Sequence, residues 1–485
     1  MKRLLVFLLA LFMIFSFTAC KQPNNEPTQP SGDPSATDPS DGKTEKPFAG
    51  KTLQLWGDWA DSRYTDINNM GEGGGTWAMC AAVDEWAALN DVTIEYVAGY
   101  DQNRLLAAMN SGSKPDLITT SNQFPRIANF GLLKPYTQAE YDAIAEVMGK
   151  EYLDMMKYRG VAHGWILPGK GESVVYYNKS IFDRYGVKTP GEYLKEGTWT
   201  ISNFKKCLEE TTRDVDGDGK FETYGHPTYN SFRLFPAVPA VVFQQDEKGN
   251  LITDGLDSKY LMESLEFKWE MQYEKGTIAT GSDNIGTNTT SPMFAMMYSD
   301  MALHKAEDCF NVLSNGDQME VVPMPTYDGD DPAFKDKDVR FFRQTFIATL
   351  SSCDEPEAAL DLQVYLAKCV LKYVADCSFG RIKCDYEGIV GASEYSKKWK
   401  ENNDKINKDR ADIVAKMDID WELLDKCFEV ADKAEIYTFE PTYDGVTSIV
   451  RNSQFSKESP TTAFPVAKAA FEAAVQKYND LYIYD

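Results

Sequence analysis

TLQLWG (Thr52–Gly57), VTIEYV (Val92–Val97) and DLIT (Asp116–Thr119) are the stretches that decide the fold. Each is a short apolar or alternating run of strand character, and the intervals between them read as helices. In the first interval a long loop, DWADSRYTDINNMGEGGG, leads to Thr76, which suits an N-cap. Trp77, Met79, Val83 and Trp86 then fall at helical spacing on one face. The second interval, Asp101 to Met109, reads as another helix. Strand–helix–strand–helix–strand predicts a parallel sheet in an α/β unit. Ligands of such sheets sit beyond the carboxyl ends of the strands. Here those ends are Gly57-Asp58-Trp59, Ala98 to Asp101 and Thr120-Ser121-Asn122.

Upstream, Lys2 and Arg3 precede an apolar run, Leu4 to Phe17, that closes on Thr18-Ala19-Cys20. The run is too short and wrongly flanked for a permanent membrane span, so residues 1–20 read as an export signal. Residues 21–47 hold almost no apolar side chain and many Pro, Ser, Asp and Thr. They have too little surface to bury against the entropy of ordering, and read as a disordered tether. The rest of the 485 residues suffices for two or three lobes with sizeable cores, and holds no second long apolar run. A formal net charge of −24 argues against nucleic acid, whose phosphates demand basic surface, and against electrostatic adhesion to anionic lipid. The nine cysteines form no CxxC, and His163, His226 and His304 lie far apart, so a Cys/His zinc site has no support. Spacing leaves the pairing of the cysteines open.

Cys20 at the signal boundary resembles the lipobox of bacterial lipoproteins, with Phe17 where the usual Leu stands. That resemblance implies a diacylated (palmitate-bearing) Cys20 anchoring the chain on the outer face of the cell membrane. The alternative is ordinary secretion with an incidental cysteine. Further motifs follow in order. PDLITTSNQFPRIANFGLLKPYT (Pro115–Thr137) carries the spacing G-x-L-x-P near its end. SVVYYNKSIFDRYGVKTP (Ser173–Pro190) precedes GTWTISNF (Gly197–Phe204). PMFAMMYSDMALHKAEDCF (Pro292–Phe310), VVPMPTYDG (Val321–Gly329) and RQTFIATLSSCDEPEAALDLQVYLA (Arg343–Ala367) complete the series. Together they resemble the bacterial extracellular solute-binding proteins, family 1, the carbohydrate-type receptors of ABC importers.

The resemblance implies an α/β, two-lobed, periplasmic-binding-protein-like fold of type II with a multi-segment hinge. Lobe 1 is expected from 48–174 and 346–390, and lobe 2 from 175–345 and 391–485. The crossings would fall near Ser173 to Tyr177, near Phe341 to Phe346, and after residue 390. It also implies a monomeric receptor, not an enzyme, that binds a mono- or oligosaccharide and delivers it to a membrane permease. Two other readings stay open: a receptor for a peptide or polyamine, and a surface glycan-degrading lipoprotein with an acid–base carboxylate pair. No GxSxG, HExxH or usable Cys–His arrangement supports catalysis.

DVDGDGKFETYG (Asp214–Gly225) places three carboxylates two residues apart, then Gly219 and Glu222. Alternating side chains on a tight loop can converge on one Ca²⁺, which takes six to eight oxygens. The first half follows the EF-hand pattern. The second departs from it, because Gly225 stands where a bidentate Glu is expected, leaving Glu222 to close a shell with Asp214, Asp216 and Asp218. A solvated acidic turn is the alternative.

Sugars present hydroxyls and flat C–H faces, which aromatic platforms and hydrogen-bonding side chains match. Candidates on loops at strand ends are Asp58, Trp59, Tyr64, Tyr100, Asp101, Ser121 and Asn122. From the second lobe come Phe232, Phe235, Tyr298 and Asp300, and beside the second crossing Arg343 and Gln344.

Overall fold

The computed structural model describes residues 46–57, 75–99, 101–121, 124–166, 173–227, 244–246, 250–252, 254–257, 259–279, 292–297, 316–326, 328, 340–341, 345–376, 389–415, 436–437 and 458–480. Strand β1 (Thr52–Gly57), helix α1 (Gly75–Asn90), strand β2 (Thr93–Ala98), helix α2 (Gln102–Asn110) and strand β3 (Leu117–Ser121) follow in the expected alternation. β1 runs parallel to both neighbours, with Leu55 opposite Tyr96 and Leu117. Met79, Val83 and Trp86 of α1 are buried, as their spacing predicts. Helix α3 (Gln138–Met148) opens with a capping box between Thr137 and Glu140. Strand β4 (Trp165–Ile166) then forms the far edge of this sheet.

The chain next builds a second sheet. Strand β5 (Ser173–Asn178) leads into helix α4 (Lys179–Tyr185) and, further on, helix α5 (Ile201–Thr211) and helix α6 (Lys259–Trp269). Strands β6 (Met293–Met297) and β7 (Met319–Pro323) flank β5 antiparallel, with Tyr176 opposite Phe294 and Val321. Strand β8 (Thr345–Thr349) then returns to the first sheet and inserts between β3 and β4, giving the order β2-β1-β3-β8-β4. It is antiparallel to both neighbours, with Phe346 opposite Thr120 and Ile166. Last come helix α7 (Pro356–Asp376), helix α8 (Glu394–Val414) and helix α9 (Pro460–Asp480).

One apolar cluster joins Leu53, Leu55, Leu117 and Ile347 of the first sheet to Val83, Trp86, Ile144, Leu362 and Leu366 of α1, α3 and α7. Several polar groups within it are matched, as low dielectric favours. The Trp86 indole donates to Asp361 at 2.7 Å, and the buried Gln363 accepts from Tyr136 at 2.6 Å while donating to Thr349 at 2.9 Å. Glu85, fully buried on α1, accepts the backbone N–H groups of Val390 and Ala392, both at 2.8 Å, and of Gly391 at 3.2 Å. The Ser396 hydroxyl donates to the same carboxylate. This anion nest fixes the start of α8 on α1, where Tyr395 and Trp399 join the first cluster.

Two boundaries differ from the sequence expectation. Ser173–Asn178 is the central strand of the second sheet, so the first crossing lies upstream of it. α8 packs on the first sheet's helix α1, whereas the resemblance places all of 391–485 in lobe 2. An amphipathic stripe records that a helix is buried, not which sheet buries it. α9 does join the second lobe, packing on α6. Of the described cysteines, Cys207, Cys353 and Cys369 are free thiols.

Buried titratable groups set the pH response. Desolvation lowers His163 to about 4 and His226 to about 3, and both are held neutral. In the unfolded chain each takes a proton near 6.5, so their stabilisation is full above that pH and is lost as pH falls toward 4. Burial acts oppositely on Asp84, pushing its carboxyl up to about 6 against the pull of the Tyr96 hydrogen bond. Its contribution is fully present below 3.8 and is lost as pH rises through 6. The melting temperature is therefore expected to fall between pH 6.5 and 4, the two histidines outweighing one carboxylate. Asp84→Asn should raise stability at pH 7 by up to ~3 kcal/mol, at about 1.36 kcal/mol per unit, and steepen the acid fall. A pH scan of both proteins checks this, and an identical slope in the variant refutes it.

Candidate functional site

The parallel strands of the first sheet end together at Gly57, Ala98 and Ser121. Thr345, where β8 begins, pairs with Ser121, and Ile166, where β4 ends, pairs with Phe346. All five termini share one edge. In the second sheet Ser173 opens β5 opposite Met297, the last residue of β6, while Val174 faces Pro323, the last of β7. The first two of the three crossings thus join these two edges. A fully extended chain gains at most about 3.6 Å per residue, so Ile166 and Ser173 lie within ~25 Å of each other. The strand ends of both sheets therefore lie beside the first two crossings.

The first-lobe edge is built tightly. Gly57 has φ +143, and a Cβ there would sit 1.8 Å from the Thr119 carbonyl oxygen, so only glycine fits this approach of β1 to β3. The Gly99 N–H donates to the Gly57 carbonyl at 2.9 Å, tying the ends of β1 and β2. Asp101 serves the helix that follows, its carboxylate accepting from the Arg104 N–H at 2.7 Å as the N-cap of α2. Ser121 closes β3 at the edge, as expected. Asp58, Trp59, Tyr64, Tyr100, Asn122, Phe232, Phe235, Tyr298, Asp300, Arg343 and Gln344, and the lipidation candidate Cys20, lie outside the described residues. Arg104 was not singled out from the sequence. Its guanidinium lies 5.1 Å from the Trp56 ring and donates to the Ala98 carbonyl at 2.8 Å, placing a cation beside the ends of β1 and β2.

The second-lobe edge is anchored by the two motifs flanking it. The Trp199 indole N–H donates to the Pro323 carbonyl at 2.8 Å, and Thr326 exchanges backbone hydrogen bonds with Trp199 and Ile201. Asp328 accepts from the Ser202 N–H at 2.9 Å and its hydroxyl at 2.8 Å, capping α5 from a distant segment. The chain leaving β7 for the return crossing is thus fixed to the start of α5.

The acidic loop stands apart, at the C-terminal end of α5. Asp214, Asp216, Asp218 and Glu222 each offer an oxygen, all within 4.8 Å of one another. Asp214 accepts from Gly217 N at 2.7 Å and Gly219 N at 2.9 Å, while Asp216 accepts from Asp218 N at 3.0 Å and Asp218 from Lys220 N at 2.9 Å. Gly217 and Gly219 take φ of +80 and +87, which lets the loop coil around its own carboxylates. Arg213 and Thr223 bridge its ends, with Arg213 N donating to Thr223 O at 2.9 Å. Oxygens around one Ca²⁺ stand at most about 5 Å apart, twice a Ca–O distance, so the spread fits calcium and is wide for the ~4 Å shell of Mg²⁺.

Residues 81–368 match the family described as Bacterial extracellular solute-binding protein. No curated protein sequence matches the chain. Among solved structures, an ABC substrate-binding protein of Listeria monocytogenes in complex with cycloalternan is similar at 15% identity. That match has a TM-score of 0.55 and covers 88% of this chain and 99% of that one. The galacto-N-biose-/lacto-N-biose I-binding protein of the ABC transporter from Bifidobacterium longum, in complex with lacto-N-biose, gives a TM-score of 0.57 at 11% identity, over 89% and 98%. A solute-binding protein of an ABC transporter from Thermotoga lettingae, bound with alpha-D-tagatose, gives 0.54 at 15%, over 88% and 100%. These likenesses share the two-lobed α/β fold derived above, and with the family match across more than half its length, the chain belongs to the bacterial extracellular solute-binding proteins.

Proposed function

We propose that this extracellular solute-binding protein is the receptor of an ABC importer, that it takes a mono- or oligosaccharide reversibly into its inter-lobe cleft, and that it hands the sugar to a membrane permease. The carrying observation is the convergence of both sheets' strand ends on the crossings. Asp58, Trp59, Tyr100, Asn122, Tyr298, Arg343 and Gln344 follow or precede those ends in sequence. Their types suit sugars, with aromatic platforms for C–H faces and carboxylate, amide and guanidinium groups for hydroxyls. The solved relatives named above hold a cycloalternan, lacto-N-biose and tagatose, which favours carbohydrate over peptide or polyamine. Binding without turnover fits a family of receptors. Cys20 would carry the lipid anchor, with residues 21–47 as the tether.

In the same reading Ca²⁺ is held by Asp214, Asp216, Asp218 and Glu222 and serves structure. Four carboxylates gathered on one loop repel one another, and Lys220, 3.3 Å from Asp218, is a single counter-charge. A divalent ion would offset the rest and hold the segment between α5 and Gly225.

A thermal-shift screen of the exported chain against sugars, amino acids, polyamines and short peptides tests the receptor reading, since a ligand of the native state raises the melting temperature. A sugar hit is the expected outcome; a shift with peptides or polyamines alone rejects the carbohydrate reading. Trp59→Ala should weaken sugar binding by no more than ~3 kcal/mol, because one platform is lost while the hydrogen-bonding groups stay. Titration of both proteins reads this, and unchanged affinity removes Trp59 from the site.

Chelation should lower the melting temperature, by an amount equivalent to roughly 3 kcal/mol if calcium had stood at a hundredfold its Kd. Asp216→Ala should abolish that sensitivity. The same curve with and without chelator leaves an acidic turn. Finally, Cys20→Ser should release the protein from the membrane into the medium, and quantitative retention on the membrane argues against the anchor.

A further inference from the structure

Helix α9 is held at both ends by different lobes. Along its first half it belongs to the second. Thr461 donates to Glu266 on α6 at 2.9 Å, Lys468 pairs with Asp257, and Phe464 and Phe471 are buried in a cluster that holds Leu265 and Phe267 and extends to Tyr158 and Phe346 of the first lobe. Phe267 in turn packs on Phe204 of α5 at 6.0 Å. Its last turn meets the first lobe. There a hairpin, Lys157–Tyr158 paired with Val161–Ala162, turns through Arg159 and Gly160, whose φ values are +51 and +82. Arg159 donates from Nη2 to the Asn479 carbonyl at 2.6 Å.

The hairpin itself is firmly part of the first lobe. Its Ala162 carbonyl accepts from Tyr136 N at 2.9 Å, and His163 N donates to Met156 O at 3.1 Å. Tyr158 is fully buried, edge-on to Phe124, which stands edge-on to Phe346 of β8. The acceptor is also suited to a cation. Carbonyls in the last turn of a helix lack intrahelical donors and carry the negative end of its dipole. A non-glycine residue in the left-handed region is uncommon, and here that conformation puts the guanidinium at the apex of a tight turn facing α9.

We propose that Arg159 is a strut joining the two lobes independently of the covalent crossings, and that its bond to Asn479 sets the angle between them. The proposal rests on the two-lobed fold and not on the identity of the solute. A hydrogen bond of this kind is lost once stretched past about 3.5 Å. A rotation that carries the end of α9 beyond the reach of the Arg159 side chain breaks it, so the strut is made over a limited range of inter-lobe angle and absent outside it. Such a contact converts a continuous hinge into one with a preferred position.

The test needs no ligand. Arg159→Asn removes the guanidinium and keeps a residue tolerant of the left-handed conformation, and Arg159→Gly is a second background should the first fold poorly. Hydrogen exchange at the amides of residues 476–480 is expected to rise roughly tenfold, the size of one charge-assisted hydrogen bond lost. Small-angle scattering of the same sample is expected to show a shifted radius of gyration. Unchanged exchange and an unchanged radius in a folded variant overturn the proposal. Faster exchange with an unchanged radius overturns it too, because Arg159 would then be a local helix cap.

Discussion

The insertion of β8 between β3 and β4 is the constraint on which the rest of the molecule depends. Thr345–Thr349 reaches the first sheet only after the second has been built, and four of its five residues are buried there. An unpaired central strand position would leave two rows of backbone groups without partners, at a cost no apolar packing offsets. The first lobe therefore cannot complete itself without a segment that has already passed through the second. That requirement produces two crossings, and because β8 starts at the edge where β3 ends, it brings both crossings to the carboxyl ends of the parallel strands. The placement of the strand ends beside these crossings follows from one strand's register.

The same logic explains why motifs distant in sequence occur together. The tryptophan of GTWTISNF and the prolines of VVPMPTYDG form one joint, in which the Trp199 indole holds the Pro323 carbonyl and Asp328 caps the helix that Trp199 introduces. A proline carbonyl remains a full acceptor although proline has no N–H, so the joint uses what that residue retains. Fixing the start of the return crossing this way leaves fewer residues to absorb rotation.

Much of this was readable from the chain, and the failures have identifiable causes. The three strands and two helices of the first sheet were carried by periodicity alone, and Pro356 marks the first turn of α7 as its position predicts. SVVYYN could not be told from a crossing, because a short apolar run looks the same whether it spans a sheet or leads to one. The attachment of α8 was hidden for another reason. It rests on Glu85, one of 74 acidic residues, distinguished only by three backbone N–H groups some three hundred positions away. Asp101 illustrates an ambiguity of chemistry. A carboxylate at a strand end can face a solute or cap the next helix, and Arg104, three residues on, supplies the N–H that it takes.

The acidic loop shows how packing edits a motif. An EF-hand would place a bidentate Glu at position twelve, where this chain has Gly225. A Cβ on Gly225 would lie 2.7 Å from the Leu208 Cα and carbonyl oxygen, so the loop's exit is pressed against helix α5 and no side chain fits. The fourth carboxylate must then come from a residue still on the loop, and Glu222 holds that place, its carboxylate accepting from Val215 N beside the other three. Placing the last carboxylate three residues earlier shortens the loop and lets Arg213 and Thr223 bridge beneath it. The departure from the EF-hand pattern is thus the consequence of seating the loop directly on a helix, in place of the second helix that an EF-hand would require.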